Sequence, residues 1–399
     1  MNDVELLSPA GDSEKLTMAA LYGADAVYLA GRAFGMRASA ASFSDEALVK
    51  AVELIHGLGK KLYVTCNTLP REDELELLPD YLAFLQEAGV DALIIADLGV
   101  LEYAKKYAPR LKKHISTQLG VVNSATANYL FENGADTAVL ARELSLEEIK
   151  KIRKNTPPEL RLEAFVHGAM CVSFSGRCLL SNYLTGRDSN RGRCAQPCRW
   201  SWHLMEETRP GEYFEITEDK GTFILNSHDM CMIEHVPELL EAGVSSLKIE
   251  GRMKSAYYTA VVTNAYRHAI DAALRGESLD KRWIEETETV SHRPYCTGFY
   301  YGDPGQHYGT SSYFQNAEIV AIVEECDEEG NALLTQRNKF TAGEPLQLLA
   351  PLNGPVDFVP TAVFDEAGEE IEATSHAMMK FKMKLPCSAP KYSILRRTK

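Results

Sequence analysis

The sequence predicts an α/β fold: a (β/α)8-like barrel of the TIM type, regular or irregular, followed by a small all-β C-terminal barrel domain. Three observations point there. Four phrases of one pattern, YGADAVYLA (22–30), AGVDALIIAD (88–97), NGADTAVLAR (133–142) and AGVSSLKIEGR (242–252), each set a helix-ending Gly just before a buried strand. Five further runs are apolar almost throughout, as parallel strands covered on both faces are. Polar residues close nearly every run, and no G-x-G-x-x-G turn follows an early strand, which favours a barrel over a doubly wound sheet.

In chain order the strand candidates begin with ELLSPAG (5–11), followed by YGADAVYLA. KLYVTCN (61–67), AGVDALIIAD and KHISTQ (113–118) come next, then NGADTAVLAR and RLEAFVHG (161–168). TFILNSHD (222–229) and AGVSSLKIEGR complete nine, one more than a closed eight-stranded barrel takes. Asp12 precedes SEKLTMAAL and Asp97 precedes LGVLEYAKK, both as helix caps. YCTGFYYGDPGQHYGTSSY reads as loop and linker, and the short β runs beyond it, split by turns such as DEEGN and DEAGEE, suit a small antiparallel barrel. The expected division is a catalytic barrel over 1–305, with a Cys-rich insertion at about 169–221, and a β domain over 306–399. The β domain carries no clustered His or Cys and no paired acids, which leaves it a binding or assembly role.

At 399 residues, 45% apolar and 25% charged, the chain has the composition of an ordinary globular protein of two or three domains. A net charge of −14 argues against coating nucleic acid nonspecifically, so an RNA partner has to be met by a local basic patch. No apolar secretory segment follows Met1 and no run of 18 apolar residues occurs, so a cytoplasmic protein without a membrane span is expected.

Four of the nine cysteines, Cys171, Cys178, Cys194 and Cys198, fall in the spacing C-x6-C-x15-C-x3-C. In a reducing compartment such density means metal ligands or redox groups more often than disulfides. Structural zinc prefers C-x2-4-C knuckles, which Cys194 and Cys198 supply and the C-x6-C half does not, whereas an iron–sulfur cluster tolerates looser spacing. A single nucleophilic thiol would not require four. Cys171 lies just past a strand's carboxyl end, where active sites of barrels are built.

Strand ends also supply Asn67, Asp97, Gln118, Arg142, His167, Asn226, Asp229, Glu250 and Arg252. Of these, Arg142, His167, Glu250 and Arg252 are poorly placed to cap a following helix and are the leading site candidates. Around the last two cysteines, TGRDSNRGRCAQPCRW gathers Arg187, Arg191, Arg193 and Arg199, with Trp200 and Trp202 behind, either as an exposed basic loop or as an RNA contact.

The segment EAFVHGAMCVSFSGRCLLS (163–181) closely resembles the signature of peptidase family U32, and the likeness extends through LLSPAGD, GADAVYL, CNTL, ALIIADLGVL, STQ, LTGRDSNRGRCAQPCRW, NSHDMCMIEH and SLKIEGRMKS to a C-terminal segment similar to that family's small β domain. The closest likeness is to members that hydroxylate the wobble uridine 34 of tRNA to 5-hydroxyuridine in a prephenate-dependent manner, with relatives acting on ribosomal RNA and ubiquinone. The resemblance implies a [4Fe-4S] cluster on Cys171, Cys178 and Cys194, with Cys198 as preferred fourth ligand and Cys231 as its alternative. It implies prephenate, a small acidic metabolite, as co-substrate; the strand-end cations Arg142 and Arg252 are the residues expected to hold it by bidentate pairing, with Asn67 and Gln118 as further substrate-binding candidates. His167 and Glu250 are the proton-transfer candidates. The tRNA anticodon loop would meet Arg187, Arg191, Arg193 and Trp200. Relatives that act in pairs imply a possible partner protein of the same family. The family label also carries a protease reading, in which Cys171 and His167 would act as a dyad, yet neither H-E-x-x-H nor G-x-S-x-G occurs. A non-catalytic RNA-binding scaffold with a structural cluster is the third reading.

Overall fold

The structure is a computed structural model and describes residues 4–36, 42–171, 173–174, 177–200, 204–205, 208, 211, 213–214, 227–305 and 313–399. It divides into two compact units, one of Met1–Ala20, Ala24–Lys254 and His292–Tyr313, the other of Leu21–Gly23, Ser255–Ser291 and Phe314–Lys399.

The first unit is a closed barrel. Its strands are β1 (Glu5–Pro9), β2 (Ala26–Leu29), β3 (Lys61–Cys66), β4 (Ala92–Ile95), β5 (Lys112–Ile115), β6 (Thr137–Val139), β7 (Arg161–Ala169) and β8 (Ser246–Ile249). Each pairs in parallel with the next, and β8 pairs with both β7 and β1, so among the described residues the eight leave no edge. Eight of the nine sequence candidates are thus accounted for. Residues 222–226 of the ninth, TFILNSHD, lie outside the described residues, but its end contributes to a short strand, Asp229–Cys231, that runs antiparallel against the far end of β7. It is the accessory strand.

The recurring phrase explains the barrel's regularity. Gly23, Gly89, Gly134 and Gly243 all adopt positive φ, turning the chain from helix to strand where a side chain would strain the backbone. At Gly243 a Cβ would also meet Arg153 Cγ at 2.3 Å. In three of the four phrases an Asp follows two residues later, and each closes the start of the preceding strand. Asp25 Oδ2 accepts from Leu6 N (2.8 Å), Asp91 Oδ2 from Leu62 N (2.7 Å) and Asp136 Oδ2 from Lys113 N (2.9 Å). The backbone N–H of Asp25, Asp91, Asp136 and, in the fourth phrase, Ser245 bonds back to the carbonyl of Leu6, Leu62, Lys113 and Leu162. The barrel is built as four strand pairs on one plan. Asp97 caps the helix Leu98–Tyr107 through Val100 N (3.1 Å), and Asp12 takes Lys15 N (2.9 Å).

Inside the barrel an apolar layer of Leu7, Ala26, Tyr28, Tyr63, Ala92 and Ile94 is interrupted by charge. Glu5, 2% exposed, accepts from Tyr63 Oη (2.6 Å), Ser246 Oγ (2.9 Å) and Arg161 Nη1 (3.2 Å). Higher up, Lys248 Nζ donates to Glu163 Oε1 at 2.6 Å. Burial opposes the charged form of Glu163, but Lys248 and His114 beside it prevail and hold the carboxyl down to about 2.

The second unit carries an antiparallel sheet of β9 (Ala317–Cys326), β10 (Asn331–Gln336), β11 (Leu346–Leu349), β12 (Val356–Phe358), β13 (Val363–Phe364), β14 (Lys380–Lys384) and β15 (Ile394–Thr398). The order is β12-β11-β15-β9-β10-β14-β13. Among the described residues no ladder joins its outer strands, so the expected small barrel is a half-barrel. Alternation decides its face: in KFKMK, Phe381 and Met383 point into a core with Val320, Leu334, Leu348 and Leu395 while the lysines stay exposed. The helices Ala256–Arg275 and Lys281–Glu288 belong to this unit, where Arg396, 1% exposed, donates to Glu286 Oε2 (2.8 Å) and Tyr257 Oη (3.1 Å). Among the described residues no helix is long and apolar enough to cross a membrane.

Candidate functional site at the mouth of the barrel

The carboxyl ends of the strands open into a cavity of about 180 Å³. Period-two alternation along β8 and its extension turns Lys248, Glu250 and Arg252 to one face, and all three line it. Tyr28, Thr65, Phe165 and Met36 contribute from other strands and loops, Ser116 and Gln118 from the 3-10 turn after β5, and Arg142 from beyond β6.

Polar contacts fix these side chains. Arg142 Nη1 donates to the carbonyl of Ala169 (3.0 Å), its guanidinium lies 3.8 Å from the Phe165 ring centroid, and Nη2 stands 3.8 Å from Glu250 Oε2. Among the described residues its buried Nε meets no hydrogen-bond partner. Arg252, 5% exposed, donates to Thr65 Oγ1 (3.2 Å) and to the carbonyl of Met36. Asn67 Nδ2 donates to Gln118 Oε1 (2.6 Å) and Asn67 Oδ1 accepts from Met36 N (3.0 Å), so the two predicted amides hold one another. Lys248 lies 4.8 Å and 5.4 Å from the Tyr28 and Phe165 rings. Among the described lining residues Arg142, Arg199, Lys248 and Arg252 are cations and Glu250 is a carboxylate; setting aside Lys248, which is paired with Glu163, three cations still outnumber one carboxylate and favour an anion.

The same cavity is rimmed by Cys171, Cys178, Cys194 and Cys198. The insertion that carries them is stapled by one serine: Ser181, fully buried, donates to the carbonyl of Arg187 (2.7 Å) and accepts from Ala195 N (2.9 Å), joining the Cys178 arm to the Cys194 arm. Asn190 Nδ2 (3.2 Å) and Ser189 Oγ both donate to the carbonyl of Cys178. Between Cys194 and Cys198, Gln196 takes a left-handed conformation (φ 57°), an uncommon one for a side-chain-bearing residue, and Pro197 follows. Backbone N–H groups already address two of the sulfurs, Leu180 N to Cys178 Sγ and Gln196 N to Cys194 Sγ, both at 3.4 Å. Burial raises the Cys198 thiol above its ordinary value, Arg199 pulls it down, and the thiols of Cys171, Cys194 and Cys178 push it up again.

The donor set fits a sulfur-ligated polynuclear group. Among the described residues no three Cys, His or acidic side chains converge tightly enough for a single ion. The four thiols line one cavity, and four thiolates are the donor set that an iron–sulfur group takes. Cys231, on the accessory strand opposite His167, is absent from the described lining.

His167 lies outside the lining as well. It is 1% exposed, with Nε2 3.4 Å from Tyr295 Oη, and burial above all, then the charges of His292 and Lys254, lowers it to about 3. Arg187, Arg193 and Trp200 are exposed on the insertion, and Arg187 Nε donates to the carbonyl of Arg193 (3.0 Å). The side chain of Arg191, like Trp202 and Asn226, falls outside the described residues. Sequence reasoning missed Lys248, Thr65 and Phe165. Lys248 had a usable signal, a charge inside an apolar strand two residues before Glu250 and four before Arg252.

The family model for peptidase family U32 matches residues 11–310, and that for the family's C-terminal domain matches 315–396. The chain belongs to peptidase family U32. Within the family it is 37% identical to tRNA hydroxylation protein P1 of Bacillus subtilis (strain 168), over 96% of this chain and 92% of that protein. It is 40% identical to an uncharacterized protease of Methanocaldococcus jannaschii, covering 89% of each. It is also 36% identical to the 23S rRNA 5-hydroxycytidine C2501 synthase of Escherichia coli (strain K12), over 79% of this chain and 45% of that protein.

Proposed function

We propose that this U32 protein hydroxylates RNA at a pyrimidine, and that its substrate is uridine 34 of tRNA, converted to 5-hydroxyuridine with prephenate as co-substrate and a [4Fe-4S] cluster on Cys171, Cys178, Cys194 and Cys198. The observation that carries the reading is the convergence of four thiols and four cations on one open cavity at the active end of a barrel. Relatives named for tRNA hydroxylation and for 5-hydroxycytidine synthesis on ribosomal RNA support the reaction class. The cluster, when bound, supplies one-electron redox chemistry at the barrel mouth.

The chain's own residues then bind, orient and move a proton. Arg142 and Arg252, both lining the cavity, grip the carboxylates of the acidic co-substrate, for which planar guanidinium forks are suited. Phe165 and Tyr28 give its ring an apolar wall beside Lys248. Glu250 is the carboxylate placed to receive a proton, and Arg142, 3.8 Å from its Oε2, positions it in the ionised form before transfer. His167 faces Tyr295, on which His292 stacks, and lies outside the described cavity lining, so proton transfer in this reading falls to Glu250. The base reaches the cavity splayed from a single-stranded loop, with Arg187, Arg193 and Trp200 on the exposed insertion for phosphate and stacking contacts. Mass spectrometry of tRNA nucleosides from cells lacking the protein, and any second copy, should show loss of 5-hydroxyuridine at position 34. Unchanged 5-hydroxyuridine would sink the reading.

A further inference from the structure

Beside the cavity, four separate segments bring three cations around one tyrosine. The Tyr313 hydroxyl accepts from Arg293 Nη2 (3.0 Å) and from Arg199 Nη1 (3.3 Å). Lys254 Nζ stands 4.6 Å from the centroid of the same ring, and the Arg293 guanidinium 5.1 Å. Asp229 meets two of the three cations, Lys254 and Arg293. Its Oδ2 lies 3.8 Å from Lys254 Nζ and accepts from Arg293 N (3.2 Å), and its Oδ1 lies 4.0 Å from Arg293 Nη1. Arg293 and Asp229 are each 1% exposed, while Tyr313 is 46% exposed.

Among the described residues three cations and one carboxylate gather here, and neutral Tyr313 adds no negative charge. Burial lowers the Lys254 ammonium, Asp229 and Tyr313 oppose that, and Arg199 and Arg293 add to it, as expected of a cation crowded by its own kind. A phenol oxygen that takes two guanidinium N–H bonds stands where an anion's oxygen would sit, and a phosphate oxygen is much the stronger acceptor. Arg199 belongs to both places: it lines the cavity and directly follows Cys198.

We propose that Arg199, Lys254 and Arg293 form a phosphate clamp that grips the RNA backbone next to the nucleotide entering the cavity, the Tyr313 hydroxyl yielding its place to a phosphate oxygen. The clamp rests on the RNA-hydroxylation reading for its ligand, though not for its chemistry. It also gives the substrate a fixed point beside the reacting centre, which the exposed arginines of the insertion do not.

Lys254→Gln and Tyr313→Phe separate the possibilities in the full-length, iron-loaded protein, with iron content and melting temperature as controls for folding. With an anticodon stem–loop, Lys254→Gln should weaken binding about tenfold, the worth of one charge-assisted contact. The slope of log affinity against log salt should become shallower by about 0.7, as for one single-strand phosphate released. Tyr313→Phe should bind the stem–loop as well as the parent or better. Inorganic phosphate should raise the melting temperature of the parent and of Tyr313→Phe more than that of Lys254→Gln. Unaltered affinity and slope in Lys254→Gln, or weaker binding in Tyr313→Phe, would overturn the clamp as an RNA contact. Phosphate protection that ignores Lys254 would overturn the clamp itself. Lys254-dependent protection by phosphate, in a parent that binds no stem–loop, would keep the clamp and reject the RNA reading.

Discussion

The two ends of the barrel treat charge in opposite ways. At the amino-terminal end Glu5 is closed off by Tyr63, Ser246 and Arg161, three aspartates bond strand amides, and Glu163 binds Lys248 at 2.6 Å. At the carboxyl end, among the described residues, four cations, one carboxylate and four thiols line a cavity, and the buried Arg142 Nε meets no hydrogen-bond partner. The first end is settled internally and the second is left for something from outside. The same strands thus hold a stabilising end and a reactive one, and Lys248 joins them, paired below and facing aromatic rings above.

Breaking the lower end should have the larger effect on stability. Glu163→Ala leaves the Lys248 ammonium buried and unpaired, and should cost about 3 to 5 kcal/mol in urea denaturation. Glu163→Ala/Lys248→Met should recover much of the loss. A cost below about 1 kcal/mol, within the range of an exposed pair, would show that the floor is not held by this ion pair.

Breaking the upper end should spare the fold and remove the chemistry. Cys178→Ser should lose iron and lower RNA hydroxylation at least about a hundredfold, while the iron-free parent and variant unfold within about 0.5 kcal/mol of each other. Equal iron retention would reject Cys178 as a ligand. Cys198→Ser and Cys231→Ser, compared for iron, decide the fourth position, and full iron in Cys198→Ser would transfer it to Cys231.

Acid should act on the two neighbourhoods in separate windows. His167 is lowered from 6.5 to about 3, so the unfolded chain takes up its proton first and stability falls as pH drops below about 6.5, continuing towards 3. Glu163 is lowered from 4.5 to about 2, so its contribution is present above 4.5 and lost as pH falls towards 2. His167→Gln should therefore flatten the stability profile between about pH 6.5 and 4.5 and leave the lower limb in place. An unchanged slope in that interval would mean that His167 is not held neutral by its surroundings.

The smallest effect belongs to the repeated aspartates. Asp91→Ala removes the acceptor of Leu62 N and of His56 and should cost about 1 kcal/mol, read as a shift in the urea midpoint at unchanged slope.

How much was legible follows from how local each signal is. The glycine-to-strand phrases and the apolar runs repeat along the chain, so eight barrel strands could be read off it. Asp229–Cys231 could not be classified, because three residues carry no period and nothing in them distinguishes an antiparallel partner. The four cysteines were legible by density. Their common cavity depends on Ser181 and on the turn at Gln196, neither of which stands out in sequence. Glu163 and Lys248 were hidden inside runs read as apolar, since a buried ion pair across β7 and β8 looks like two unrelated exceptions. Arg199, Lys254, Arg293 and Tyr313 come from four distant segments, and only the fold brings them together.

The four-pair plan of the barrel also separates short closures from one long one. The aspartate bonds of the first three pairs close spans of 19, 29 and 23 residues, whereas the seam between β1 and β8 joins Glu5 to Ser246 across 241. Chains rich in short spans fold fast, and the entropy of closing a loop grows only logarithmically with its length. The long cysteine-bearing excursion sits inside the last pair, so none of the first three closures spans it, and its length adds to loop-closure entropy only at the final seam.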